Sequence, residues 1–179
     1  MWPSKSWPGT QVAYHEHVRK PSPVIAELCE PPTLLEELIR ISVEGDADIV
    51  TARQQGRILA TSLGFSSGDV TLVATAISEL ARNIVLYAKR GEILLATVSD
   101  DGRAGLSIIA RDHGDGIVDV SRAMQDGYST SGRLGVGLPG VKRLMDAFEI
   151  VSEVGRGTTV TVKKWKRSWS GTGSRVVLH

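Results

Sequence analysis

An acidic and an amide side chain, Glu79 and Asn83, lie four residues apart in the sequence. On a helix this spacing places both side chains on one face. A carboxylate beside an amide oxygen suits Mg²⁺, which takes hard oxygen ligands and completes its shell with water and phosphate. The same pair is also common on solvated helix faces, so alone it identifies no site. It indicates a magnesium site only together with other motifs.

A second candidate is the acidic, glycine-rich segment 112–116, which follows the alternating apolar segment 104–110. Asp112 has the parity of the apolar residues, so it points inward at a strand end if those residues face the core. An inward carboxylate needs a hydrogen-bond donor, and the exocyclic amine of adenine is such a donor. Gly114 and Gly116 would let a flat base approach the backbone. The alternative is a turn capped by aspartate. His113 is interpreted as a lid-edge or solvated residue rather than a catalytic one.

Glycines are concentrated in residues 132–140, directly before a predicted helix. Backbone N–H groups in such a stretch, with the positive helix end, favour an anion. Gly135, Gly137 and Gly140 also form G-x-G-x-x-G, which raises a Rossmann alternative. That motif should follow a strand, whereas a polar loop precedes it here, so the alternative fails. P-loop and eukaryotic-type kinase motifs are absent from the sequence. The fourth motif, 155–159, resembles by itself a tight hairpin turn.

The surrounding pattern changes from helical to alternating. A first helix is predicted over 46–63, with Asp46 or Asp48 as N-cap and Gly64 as terminator. A second is predicted from Ser67 or Asp69 to about 89, and a third over 138–147. Hairpins are predicted over 92–112 and 148–165. The residues of the second helix expected to form one buried stripe are Val73, Ile77, Leu80, Ile84 and Tyr87. Helices followed by hairpins indicate an α+β sandwich, with helices on one face of a mixed, mainly antiparallel sheet.

The folded domain is expected at 34–166, and residues 34–41 fit either a strand or a short helix. Residues 1–33 hold six of the seven prolines and are interpreted as an irregular N-terminal extension, and 167–179 as a flexible C-terminal tail. Net charge is +1 and there is one cysteine, so neither nucleic acid nor a disulfide framework is indicated. No apolar run approaches the roughly 20 residues that cross a bilayer. We expect a cytoplasmic protein without a membrane partner.

The order of the four motifs resembles the GHKL ATPase superfamily, in which an acid-amide helix, a D-x-G-x-G strand end, a lid with a glycine-opened helix and a G-x-G-T turn follow one another. Two long segments narrow this resemblance: ISELARNIVLYA at 77–88 and DGYSTSGRLGVGLPGVKRLMD at 126–146. They closely resemble the RsbT-type switch kinases of bacterial stressosomes. The resemblance covers about residues 43–166 and implies a Bergerat-type two-layer sandwich.

The resemblance also implies roles. Glu79 would be the general base that takes a proton from a protein Ser or Thr hydroxyl, Asn83 would bind Mg²⁺, and Asp112 would bind the adenine amine of ATP. The lid would be about 124–134. The nucleotide-binding residues so implied are Asn83, Asp112, Gly114, Gly116, Gly135, Val136, Gly137, Leu138 and Thr158. Arg82 and Lys89 are nearby cations that the sequence assigns to no phosphate.

Such kinases phosphorylate small STAS-domain antagonist and scaffold proteins, and then bind and activate a regulatory phosphatase. The alternative is an RsbW-like anti-sigma factor that binds a sigma factor and phosphorylates its antagonist, although those relatives lack the run STSGxLGxGLPG. A sensor histidine kinase would need a helical phosphoacceptor segment, and His15 and His17 lie in a proline-broken stretch. The intact Glu79 and Asn83 argue against an inactive binding module.

Overall fold

The computed structural model describes residues 38–100, 102–125 and 137–167, all within one compact unit. Five strands form one sheet: β1 (Leu38–Val43), β2 (Gly91–Asp100), β3 (Arg103–Asp112), β4 (Ala147–Glu153) and β5 (Gly157–Trp165). Their order is β1-β2-β3-β5-β4, and each of the four pairings is antiparallel. The α+β prediction is confirmed, with a sheet that is antiparallel rather than mixed over the described strands. The interpretations of 1–33, of nearly all of 167–179 and of 126–136 lie outside the described residues.

Four α-helices are described: α1 (Asp46–Ser62), α2 (Ser67–Asn83), α3 (Val120–Ala123) and α4 (Gly137–Leu144). The N-cap of α1 is Gly45, so the prediction of Asp46 or Asp48 was wrong. Asp48 instead reaches back and accepts hydrogen bonds from the N–H groups of Glu44 and Gly45, at 2.9 and 3.0 Å. Carboxylates in the first turn also complement the positive end of a helix.

A π-helical segment, Ile84–Ala88, continues α2 directly. The predicted stripe is confirmed for Val73, Ile77, Leu80 and Ile84, which are at most 2% exposed, whereas Tyr87 is 55% exposed. The prediction for Tyr87 was wrong because the wider turn of a π-helix shifts every later side chain around the axis. Lys89 then ends the segment with a φ of 69°.

One core lies between the helices and the sheet. The strand residues in it share a single parity on each strand, as in Ile93 and Leu95 of β2 and Leu106 and Ile108 of β3. Helices α1, α2 and α4, which also contribute to this core, therefore cover one face of the sheet. Gly56 of α1 lies against Ile77 of α2, where any Cβ would collide, so this glycine sets a close helix–helix approach.

The continuous helix Ser67–Ala88 is long and apolar enough to cross a membrane by length and composition. Half of its most apolar window is buried inside the protein, against α1, α4 and the sheet. Core helices of water-soluble proteins meet the same criterion, and the burial identifies this one as a core helix.

Candidate functional site

Asp112 is the last residue of β3 and lies beside Gly91, the first residue of β2. Its Oδ1 accepts hydrogen bonds from the N–H groups of Gly114, at 2.9 Å, and Thr158, at 3.2 Å. Within the described ranges no hydrogen bond reaches the other oxygen, Oδ2. The carboxylate is thus fixed through one oxygen while the other can accept from a ligand donor. This geometry is compatible with the hydrogen bond from an adenine amine that is expected from the sequence.

Around Asp112, glycines let the backbones of neighbouring loops approach one another more closely than residues with a Cβ would allow. A Cβ on Gly157 would meet the carbonyl oxygen of Asp112, and one on Gly116 would meet the carbonyl oxygen of Glu153. Both glycines also have positive φ, 104° and 70°. Gly114 faces the Ala88 Cβ, 2.7 Å from where its own Cβ would stand. The glycines, expected to admit a base, are therefore also required by backbone packing.

Ser152 of β4 is a polar residue of this region that the sequence reasoning missed. Its Oγ accepts from the Ile117 N–H at 2.8 Å and lies 2.8 Å from Thr158 Oγ1 and 3.2 Å from the Gly157 carbonyl oxygen. It thereby connects the loop after Asp112 with the last hairpin. The available signal was its parity, which it shares with the core-packed Phe148 and Ile150. We call Asp112, Gly114, Ser152, Gly157 and Thr158 the strand-end cluster.

Glu79 occupies the penultimate turn of α2 and is only 8% exposed, deeper than a residue flanking the core was expected to be. Its Oε1 accepts from Arg82 Nη1 at 2.7 Å, and its Oε2 accepts from the Gly137 N–H at 3.3 Å. The Gly137 bond joins residues 58 positions apart, so the start of α4 meets the acidic residue of α2. We call Glu79, Arg82, Asn83 and Gly137 the helix cluster.

Asn83 follows Glu79 by one turn and is half-buried. No hydrogen bond to its side chain is found among the described residues, so its amide oxygen can act as a ligand. No group of three or more His, Cys, Asp or Glu side chains suited to a metal occurs within the described ranges. One amide oxygen with a neighbouring carboxylate still fits Mg²⁺, which binds through one or two protein oxygens and the substrate phosphates.

One continuous helix, α2 with its π-helical continuation Ile84–Ala88, connects the two clusters. It carries Glu79 and Asn83 and, nine residues after Glu79, brings Ala88 against Gly114. At 1.5 Å per residue, that separation is about 13 Å. The arrangement can therefore hold an elongated ligand, with a donor-bearing ring at Asp112 and negative groups near Gly137.

Residues 45–164 match the family model described as a histidine kinase-like ATPase domain. The chain is 54% identical over 132 residues to the serine/threonine-protein kinase RsbT of Bacillus subtilis strain 168, covering 74% of this chain and 98% of that protein. The chain is a member of the RsbT-type kinase family. It is a serine/threonine-protein kinase with an ATP-binding domain.

More distant relatives agree with this assignment. The anti-sigma F factor of Caldanaerobacter subterraneus subsp. tengcongensis is 30% identical over 120 residues, which is 64% of this chain and 82% of that one. A crystal structure of the RsbU and RsbW domains of a Mycobacterium tuberculosis protein matches with a TM-score of 0.51 and 22% identity, over 74% of this chain. The chain spans only 33% of that larger protein. At that identity the likeness supports the fold alone.

Of the remaining residues predicted for the site of this RsbT-type kinase, some lie among the described residues and some do not. Gly135 and Val136 lie outside the described residues. Leu138 is half-buried and its side chain packs against the core. His113 is exposed, as its interpretation as a solvated residue required. Lys89 Nζ lies 3.5 Å from the Leu86 carbonyl oxygen, a contact with its own helical segment.

Proposed function

We propose that this kinase uses Mg-ATP to phosphorylate Ser or Thr on STAS-domain proteins in a bacterial partner-switching stress pathway, and then binds a regulatory phosphatase. We place it in the cytoplasm. The proposal is supported above all by one observation: Glu79 meets the start of α4 at the Gly137 N–H, and the helix that carries Glu79 and Asn83 borders the strand-end cluster at its other end, where Ala88 contacts Gly114. The 54% identity to RsbT, over 98% of that protein, supports the assignment to a partner-switching pathway.

In this proposal each residue has a distinct task. Asp112 Oδ2 accepts from the adenine amine, and Thr158 and Gly114 border the base. Gly135, Val136 and Leu138 would offer backbone N–H groups to the phosphates, and Gly137 would do so by exchanging its contact with Glu79 Oε2 for a phosphate oxygen. Asn83 would hold Mg²⁺, whose charge would offset that of the phosphates. Glu79 accepts the proton of the substrate hydroxyl, whose oxygen then attacks the γ-phosphorus.

Phosphate transfer from labelled ATP to candidate STAS-domain proteins tests this proposal. In Asp112→Asn the amide oxygen keeps the two backbone hydrogen bonds of Oδ1, so the NH₂ group stands where the adenine amine needs an acceptor. We therefore expect an affinity loss of about 100-fold, or about 2.7 kcal/mol. Glu79→Ala removes the base but no adenine contact, so nucleotide affinity stays within about threefold while turnover falls at least about 100-fold. Calorimetry with ADP and the transfer assay measure the two quantities.

The control variants for this pair are exposed carboxylates outside the site, such as Asp100→Asn and Glu153→Gln. Normal ATP affinity in Asp112→Asn would contradict the adenine assignment. Unchanged turnover in Glu79→Ala would mean that another group is the base.

The second candidate function is that of an anti-sigma factor, favoured by the relatives of that name at about 30% identity. Both candidates would phosphorylate an antagonist, so transfer alone does not separate them. Pull-down against a sigma factor and a STAS-domain protein does. Stable capture of the sigma factor would favour the anti-sigma function over the switch-kinase function.

A further inference from the structure

Arg82 and Gly137 approach the Glu79 carboxylate from different sides. The guanidinium donates to Oε1 at 2.7 Å and the Gly137 N–H donates to Oε2 at 3.3 Å. The two donors come from different helices, α2 and α4. The carboxylate is therefore oriented, with one oxygen directed at its own helix and the other at the start of α4.

The charge on Glu79 needs this support. Its side chain is only 10% exposed, so water solvates the charge poorly. Among the described residues, Arg82 forms the only ion pair with it. Without Arg82 the buried carboxylate would keep a single, long hydrogen bond, and an under-paired buried charge is costly.

A second ion pair of the same spacing provides an internal comparison. Arg156 and Glu153 are also three residues apart and 3.1 Å from each other, but their side chains are 76% and 62% exposed. Exposed pairs of this kind contribute little to stability. Glu79 differs in its burial and in its second donor, so its partner can affect the chemistry of the carboxylate and not only the helix.

We propose that Arg82 is a positioning residue for phosphoryl transfer, a role that rests on the function proposed above. It occupies Oε1 and leaves Oε2, on the side of the glycine-opened helix, to take the substrate proton. As the Ser or Thr oxygen bonds to the γ-phosphorus, its proton passes to Oε2. The bond to the β,γ-bridging oxygen breaks, and its electron pair leaves with ADP. Oε2 then releases the proton to solvent.

The test compares the wild-type chain with Arg82→Gln, Arg82→Lys and the exposed control Arg156→Gln. Arg82→Gln should lower kcat for transfer to the protein substrate by about 10- to 100-fold, because the base loses its orientation. The KM for ATP and the affinity for ADP should change by less than about threefold, because no nucleotide contact is removed. Arg82→Lys should recover most of kcat, and Arg156→Gln should behave as wild type.

Two results would overturn the role of Arg82. An unchanged kcat in Arg82→Gln shows that Glu79 needs no such partner. A parallel loss of kcat and ADP affinity shows that Arg82 acts on the nucleotide instead. In a Glu79→Gln background, single-turnover transfer should be insensitive to Arg82→Gln, and an equally large further loss would also contradict a role through Glu79.

A measurement without activity separates this inference from the proposed function. Double-mutant cycles by equilibrium unfolding should give a larger coupling for Arg82–Glu79 than for Arg156–Glu153. Equal couplings overturn the inference, whatever the activity of the wild-type chain. A wild-type chain that binds ADP but transfers phosphate to no STAS-domain protein overturns the proposed function, and the positioning role of Arg82 in transfer with it.

Discussion

The strand-end cluster and the helix cluster are built differently. In the strand-end cluster, hydrogen bonds of 2.8 to 3.2 Å join two loops whose backbones meet at glycines. The helix cluster is joined, over the described residues, by one ion pair within α2 and one hydrogen bond of 3.3 Å to α4. The strand-end cluster is fixed by strand pairing and backbone packing, whereas the helix cluster depends on the position of the short helix α4.

This difference indicates how binding and turnover are divided. A pocket organised before the ligand arrives loses little entropy on binding, so the strand-end cluster should provide affinity. A cluster with few internal contacts can adjust as charge moves between substrate and phosphate, so the helix cluster should govern turnover. Mutations in the two clusters should therefore affect different kinetic constants.

The largest effect should come from breaking the strand-end cluster at Gly157. Gly157→Ala adds a Cβ that collides with the Asp112 carbonyl oxygen, at a φ of 104°. We expect a loss of unfolding free energy of about 3 kcal/mol or more, together with at least about 100-fold weaker ADP binding. Urea unfolding and calorimetry measure the two effects.

Gly155→Ala is the matched control. Gly155 also has positive φ, 77°, but nothing lies within 4 Å of the point where its Cβ would stand. It should lose only about 1 kcal/mol, with nucleotide affinity preserved. If the two variants bind ADP equally well, the close contact of Gly157 with Asp112 does not contribute to nucleotide binding.

Local rules were sufficient for much of the site. Strand parity placed Asp112 inward at the end of β3, and helix spacing placed Glu79 and Asn83 together. The same spacing failed at Tyr87, because periodicity does not reveal where an α-helix widens into a π-helical segment. The sequence showed Arg82 and Lys89 as equivalent cations, and the structure distinguishes them because only Arg82 forms an ion pair with the buried Glu79 among the described residues.

Contacts distant in sequence could not be predicted. Ser152 matters because β4–β5 pairing places it opposite Thr158, and that register is a property of the folded sheet. Gly157 resembled an ordinary hairpin glycine because its closest neighbour, Asp112, belongs to another strand. The meeting of Glu79 with Gly137 likewise depends on how α4 packs against α2.

A smaller effect should follow from Ser152→Ala, which sharpens the comparison without adding bulk. The change removes the acceptor of the Ile117 N–H and the partner of the Thr158 hydroxyl. We expect ADP affinity to fall about tenfold, equivalent to about 1.4 kcal/mol, while kcat at saturating ATP changes little. The exposed Ser42→Ala is the control. A reduced kcat with normal affinity would contradict the division between the clusters.

The smallest effect concerns how α4, and with it Gly137, is held at its far end. The buried Lys164 Nζ donates to the Leu144 carbonyl oxygen at 3.1 Å and to Asp146 Oδ1 at 3.0 Å, while Asp146 Oδ2 accepts from the Trp165 N–H at 2.7 Å. Burial alone would raise the pKa of Asp146. The Trp165 N–H and Lys164 outweigh it, so the pKa lies below the ordinary value of 3.8.

Because the folded-state pKa of Asp146 is depressed, its contribution to stability is present above the unfolded-state value and is lost as pH falls through the folded-state value. Asp146→Asn should therefore lower the unfolding free energy by a constant amount above about pH 5, of order 1 kcal/mol since the side chain is 36% exposed. The gap should begin to shrink as pH falls below about 4 in urea titrations and should be lost below the folded-state pKa. Asp100→Asn, in an exposed pair, should show little gap at any pH. A gap for Asp146→Asn that does not shrink between about pH 5 and pH 3 would mean that its charge does not anchor α4, and the helix cluster would then depend on apolar packing at Val141 instead.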